Sequence, residues 1–177
     1  SRRNIELTVH MILAAPSGGS GNALPNDLEG VARQLRSLFG LNDLRLVDTA
    51  VSRNREGEGG EVSGHAVVLP QSAGLPPSTY LIRYSGMGIS EDSGTKSLVR
   101  INNFRFSVRV AFAVGSFQPQ QPSTGNAPPA STQFQFQDVG FSTNLDIREG
   151  QKVVVGKNQF SGAGHAFVLV VSARAVD

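Results

Sequence analysis

The sequence predicts an α+β fold, predominantly β: a strand-helix-strand N-terminal unit with one amphipathic helix packed on a sheet, followed by long antiparallel strands in a sandwich-like arrangement. Three observations lead there. Most of the chain alternates apolar and polar residues with the period of two that a half-buried strand requires. A single stretch, about residues 27 to 39, carries an apolar stripe at the three-and-four spacing of a helix. Segments rich in Gly, Pro, Ser and Asn separate these runs and supply the turns.

Taken in order, "IELTVHMIL" (residues 5 to 13) places Ile5, Leu7, Val9, Met11 and Leu13 on one face, and Glu6, Thr8 and His10 on the other. The turn formers of "APSGGSGNALP" follow. In the helix, Leu28, Val31, Ala32, Leu35, Leu38 and Phe39 form one stripe. Asn26 and Glu29 have the spacing of a capping box, and Gly40 stands where a left-handed C-terminal cap favours glycine. A strand follows over Leu44 to Val51. "SRNREGEGGE" (52 to 61) is then expected to link it to an antiparallel strand near 62 to 69.

"TYLIRY" is a short strand with Tyr80, Ile82 and Tyr84 on one side, and "SGMGISEDSGTK" reads as a loop. Residues 98 to 114 form a long strand in which Phe104, Phe106, Val108, Val110, Phe112 and Val114 alternate with Arg105, Ser107, Arg109 and alanines. Asn102 and Asn103 mark a bulge or turn upstream. "SFQPQQPSTGNAPPAS" (116 to 131) lacks the apolar residues of a core and is expected as an exposed loop between two paired strands. The next strand starts at Phe134 and Phe136, with a phase shift near Asp138 and Val139 that predicts a bulge, and continues through Phe141, Thr143, Leu145 and Ile147. "REGQ" turns the chain into the return strand "KVVVGK". "HAFVLVVSARAV" is apolar on both faces for much of its length, which predicts a central strand covered on both sides.

Composition narrows the function. The chain has 177 residues, 39% of them hydrophobic and 17% charged, enough for a real core. Sixteen basic and 14 acidic residues leave a net charge of +2, too balanced for nucleic-acid binding. Absence of cysteine removes disulfides, thiolate metal sites and cysteine nucleophiles. No apolar run approaches the roughly 20 residues of a membrane helix. "SRRNIELTV" is not a signal peptide, so export requires that the signal was removed or lies outside these residues.

Motifs for chemistry are lacking, and no catalytic, cofactor or metal residue is assigned. Gly150 and Gly156 have the wrong spacing for a phosphate loop, with a strand former between them and Asn158 after Lys157. Asp146 and Glu149 flank a turn and read as solvated. His10, His65 and His165 show no ligand spacing. The outward arginines of the strands, Arg83, Arg100, Arg105 and Arg109, are candidates for recognising an anion or an acidic partner. Arg83, Arg105 and Arg109 are the chosen partner-contact residues.

One stretch carries a resemblance. Thr143, Leu145, Ile147, Gly150, Gln151, Val153, Val154, Val155 and Gly156 match a pattern in which a threonine-bearing strand, a Gly-Gln turn and a valine-rich strand follow one another. "FVLVVSARAV" adds an aliphatic closing strand with Arg174 in place and Ala173 where proline is usual. Over about 35 C-terminal residues this resembles the closing strands of bacterial secretins, the outer-membrane channels of type II and III secretion and type IV pilus systems. The segment between the two strands, which helps to build the channel in that family, is reduced to "KNQFSGAG". The resemblance therefore implies a cell-envelope or periplasmic protein without a pore-forming segment, acting by protein contact or self-assembly, with no enzyme activity and no cofactor. A small-ligand or carbohydrate-binding β module using Tyr80 and Tyr84 is the alternative, and a hydrolase with a dispersed site ranks below it. The expected organisation is residues 1–75 as the strand-helix-strand unit and 76–177 as the antiparallel β unit, or one continuous domain.

Overall fold

A computed structural model describes residues 2–15, 24–66, 76–91, 94, 96–117, 131–159 and 165–177. The elements are β1 (Asn4–Ala15), a 3-10 turn (Asn26–Leu28), α1 (Glu29–Phe39), β2 (Asp43–Arg55), β3 (Gly60–Ala66), β4 (Ser78–Tyr84), β5 (Gly86–Ser90), β6 (Leu98–Phe117), β7 (Ser131–Arg148), β8 (Lys152–Gln159) and β9 (Ala166–Val176). They form two antiparallel sheets. Sheet A has the order β2-β1-β9-β8. In sheet B, β3 pairs β4, and β6 pairs β4, β5 and β7. The fold is α+β and predominantly β, with one helix packed on a sheet, as the alternation and the single helical stripe predict.

The main core lies between the sheets. Ile5, Leu7, Val9, Met11 and Leu13 of β1 and Phe167, Leu169 and Val171 of β9 face Tyr80, Ile82, Phe104, Phe106, Val108 and Ile147 of sheet B. The Phe106 ring stacks on Phe167 with centroids 5.5 Å apart. A second core lies between α1 and the outer face of sheet A, where Leu28, Val31, Ala32 and Leu35 cover Ile12, Ala14, Val168 and Val170. The layers are thus helix, sheet, sheet. β9 is interior in its sheet and buried on both faces over Ala166–Val171, which is why its sequence lacks alternation there.

Several local expectations are corrected. The capping box does not form: a 3-10 turn precedes the helix, and neither helical start has a side-chain cap. Gly40 does adopt the left-handed conformation (φ +63°) and donates to the Arg36 carbonyl. Leu38 and Phe39 leave the stripe and are 64% and 42% exposed, because α1 runs past the part of the sheet it covers. β2 continues through Ser52–Arg55, paired with β1, into residues expected as a linker. β2 and β3 are not paired; they belong to different sheets. "GMGIS" is a strand, β5, paired with β6. The bulge near Asp138 is absent, since Asp138 and Val139 stay in register with Arg109 and Val108. Register breaks occur instead between Ala113 and Gly115 and at Asn102–Asn103 opposite Asn144, where Asn103 has φ +51° and its N–H donates to Asn144 Oδ1. Most of the expected Pro/Gln loop, and most of the first glycine-rich loop, lie outside the described residues.

The Arg148–Gln151 turn is tight, with Gln151 N–H on the Arg148 carbonyl at 2.8 Å and Gly150 at φ +77°. Yet it does not close a hairpin. β7 belongs to sheet B and β8 to sheet A, so the turn is a corner that carries the chain from one layer to the other. Glu149 is half-buried there rather than simply solvated. Its N–H donates to Ser97 O, and its carboxylate accepts the Ala175 N–H at 2.9 Å.

Candidate functional site

The outer face of sheet B is built as a grid. β3, β4, β6 and β7 lie in fixed register, so their outward side chains form three cross-strand rows: Glu61–Arg83–Arg105–Ser142, Ser63–Leu81–Ser107–Gly140 and His65–Thr79–Arg109–Asp138. The middle row is made mostly of small residues. Two adjoining depressions of about 390 and 450 Å³ open along it, sharing Leu81 and Ser107. Gly140 helps to keep the floor low: a Cβ there would lie 2.8 Å from the Phe106 carbonyl.

Charge matching differs between the rows. Arg109 grips Asp138 with two hydrogen bonds, at 2.9 and 3.2 Å, and these hold the Asp138 carboxyl below its usual range. Farther along β6, Arg100 faces Asp146 across the ladder at 2.9 Å. Arg83 is paired with Glu61. Arg105 sits directly opposite Arg83 on one side and Ser142 on the other, and no carboxylate among the described residues pairs with it. Like charges directly opposite each other destabilise a sheet, and here one of the two is left uncompensated.

Beyond this grid, β6 and β7 run on together as a ribbon that is two-stranded among the described residues, because β4 pairs with β6 only as far as Arg109. The ribbon exposes Phe134 (40%), Phe136 (52%) and Val114 (49%). Phe134 and Phe136 meet edge to face at 5.5 Å, and the Arg109 guanidinium lies over the Phe136 ring at 5.7 Å. The cationic rows and the apolar ribbon are therefore one continuous surface.

Arg83, Arg105 and Arg109 do share this face, with Arg83 and Arg105 as direct neighbours. The phase shift attributed to a bulge has another cause: Phe134 and Phe136 have the parity of Asp138, Gly140 and Ser142, the outward positions. Following that parity through to Arg148 in the sequence would have placed both rings on the surface. Other candidates separate in space. Tyr80 and Tyr84 point into the core, with Tyr84 donating to Asn54 Oδ1 at 2.7 Å, and burial raises the pKa of both phenols. Neither forms a ligand platform. His10 and His65 lie on opposite outer faces, one on each sheet. Among the described residues no group of three or more His, Asp or Glu is placed to hold a metal ion. No helix of the described chain is long and apolar enough to cross a membrane.

No family model and no curated protein matches the sequence. Solved structures similar in fold include the InvG secretin-domain β-barrel of the Salmonella SPI-1 injectisome, at 13% identity and TM-score 0.44, covering 100% of this chain and 64% of that one. A near-atomic structure of the same secretin gives 11% identity and TM-score 0.45, covering 100% and 66%. The V. cholerae type IV competence pilus secretin PilQ gives 10% identity and TM-score 0.35, covering 99% and 57%. The chain spans less than two thirds of the length of each. These proteins are secretins, the family whose closing strands about 35 C-terminal residues of this chain resemble.

Proposed function

We propose that the chain is a non-enzymatic, secretin-like module of the bacterial cell envelope, without a pore-forming segment, that works by protein contact along the outer face of sheet B. The observation that carries this reading is Arg105, a cation set against Arg83 with no acidic partner among the described residues, on a surface that continues into the exposed Phe134–Phe136 pair. Arginine and aromatic side chains dominate the energetics of protein interfaces. A partner segment that brings a carboxylate to Arg105 gains a charge-assisted hydrogen bond and removes the repulsion with Arg83. Apolar residues laid over the ribbon bury Phe134 and Phe136, each contributing about 1.5–3 kcal/mol on full burial. Among the described residues no third strand pairs with the ribbon, and such edges offer backbone groups for strand addition. The sequence resemblance of about 35 C-terminal residues supports a periplasmic or envelope location.

A second copy of the chain and a foreign envelope protein present the same chemistry. A photo-crosslinking residue placed at Ser142 separates them in the source bacterium. An adduct of twice the mass identifies self-assembly, checked by light scattering of the purified chain; another discrete adduct identifies a foreign partner. Either adduct should vanish on Arg105→Glu combined with Phe136→Ser, in a chain whose melting is unchanged. Absence of any adduct, or one indifferent to that double substitution, overturns the reading.

A further inference from the structure

α1 covers only one end of the outer face of sheet A. At the uncovered end two cross-strand rows remain, Arg53–Glu6–Arg174 and Val51–Thr8–Ser172–Lys152, and Thr49 and His10 stand at the border of the covered part, whose Val170 is buried under the helix. Together with Asp27 at the start of the helical segment they frame a cleft of about 280 Å³, lined by Thr8, His10, Asp27, Lys152, Ser172 and Arg174. This cleft is on the opposite side of the sandwich from the arginine grid and shares no residue with it.

Its charged side chains balance in number but not in commitment. Glu6 is already committed: Arg53 donates to one carboxylate oxygen at 2.7 Å, and Arg174 to the other at 2.7 and 2.8 Å. Those hydrogen bonds hold its carboxyl below the ordinary range. Lys152 stands 3.9 Å from Asp27, beyond hydrogen-bond length, so its ammonium retains donors for another acceptor. Of the charged side chains that line the cleft, Lys152 and Arg174 balance Glu6 and Asp27, and because Glu6 is taken up by Arg174 and by Arg53 beside the cleft, Lys152 is the lining cation with donors to spare.

Donors without protein partners point the same way. The Thr8 and Ser172 side chains sit side by side across the β1–β9 ladder, and Lys152 is opposite Ser172. Neither hydroxyl has a hydrogen-bond partner among the described residues. His10 is 8% exposed, and its Nδ1 lies 3.2 Å from Thr49 Oγ1. Its imidazole closes the inner end of the cleft. The donors are held by a sheet, so little ordering entropy opposes binding.

We propose that this cleft binds an oxyanion group, carboxylate or phosphate, of a small molecule, with the Lys152 ammonium and the Thr8 and Ser172 hydroxyls as its donors. The test is NMR titration of the isotope-labelled chain with sodium phosphate and with sodium acetate, against sodium chloride at matched ionic strength. Saturable shifts are expected at the backbone amides of residues 8–10, 150–152 and 172–174 and at the His10 ring. A response to phosphate alone or to acetate alone fixes which oxyanion is preferred. Lys152→Gln should weaken binding by about tenfold, as loss of a charged donor does. Ser172→Ala is the second variant and should weaken it by about threefold. Identical shifts with chloride, or unchanged affinity in both folded variants, overturn the proposal.

Discussion

Sheets A and B use the same antiparallel pairing and share one core, yet their outer faces differ completely. β9 has a run of buried residues, Ala166–Val171, with no polar side chain on either face. β6 alternates strictly over Phe104–Val110, every second residue exposed. The cause is α1, which lies on the outer face of sheet A and has no counterpart on sheet B among the described residues. β1 repeats the lesson within one strand: Ile5 to Val9 alternate where the outer face is open, and the strand is then buried without a break through Ala14, with Ile12 and Ala14 beneath the helix. Burial on a second face is decided by what covers the strand, and the strand's own pairing is indifferent to it.

The sharpest way to break this comparison is to truncate one ring on each sheet. Phe167→Ala, in the shared core against Phe106, should cost about 3–5 kcal/mol in denaturant unfolding. Phe136→Ala, on the uncovered face of sheet B, should change stability by less than about 0.5 kcal/mol. A large loss at Phe136 would mean that this face has a cover of its own. The corner between the sheets comes next. Gly150→Val places a branched side chain at φ +77° and should destabilise by about 2 kcal/mol, measurable as a lower unfolding midpoint. Glu149→Ala removes the acceptor for the Ala175 N–H and should cost about 1 kcal/mol. An effect near zero would return Glu149 to the status of a solvated turn residue.

The smallest expected effect is a pH dependence on the sheet A face. Burial is the main cause that lowers the His10 pKa, with Asp27 opposing and Lys152 reinforcing it. The unfolded chain therefore takes up a proton near pH 6.5 that the folded chain takes up only at lower pH. Stability contributed by neutral His10 is present above about pH 6.5 and is lost as pH falls through that value toward the folded pKa. The carboxyls of Glu6 and Asp138, lowered by their arginines, lose their contributions in the same direction but below about pH 4.5. Urea unfolding between pH 7.5 and 5.5 should show a loss for the native chain and a flatter profile for His10→Asn. Equal slopes would show that His10 carries no such linkage.

Much of this was legible in the chain. The stripe from Leu28 to Leu35 located the helix, and Gly40 its end. The apolar run in "AFVLVV" identified an interior strand. The arginines of "RFSVR" were placed on the wet face, and the Asn102–Asn103 pair flagged the bulge. The rest was hidden for physical reasons. A turn such as Arg148–Gln151 has the same local chemistry whether it closes a hairpin or turns a corner between layers, because what tells the two apart is its hydrogen bonding to residues distant in the chain, Ser97, Ala173 and Ala175. Arg105 reads like Arg83 and Arg109 in the sequence; only the register shows that Arg109 meets Asp138 while Arg105 meets Ser142 and another arginine.

By itself the sequence determined the elements and their faces: strand period, one helix, outward arginines, a doubly buried last strand. These follow from side-chain chemistry within a few residues, and local physics suffices for them. The tertiary structure alone decided which strands share a sheet, where the helix lies, and hence which polar rows remain open. Those outcomes depend on pairings between residues as distant as Glu6 and Arg174, and no local pattern encodes them. The arginine grid of sheet B and the oxyanion cleft of sheet A are both products of such pairings.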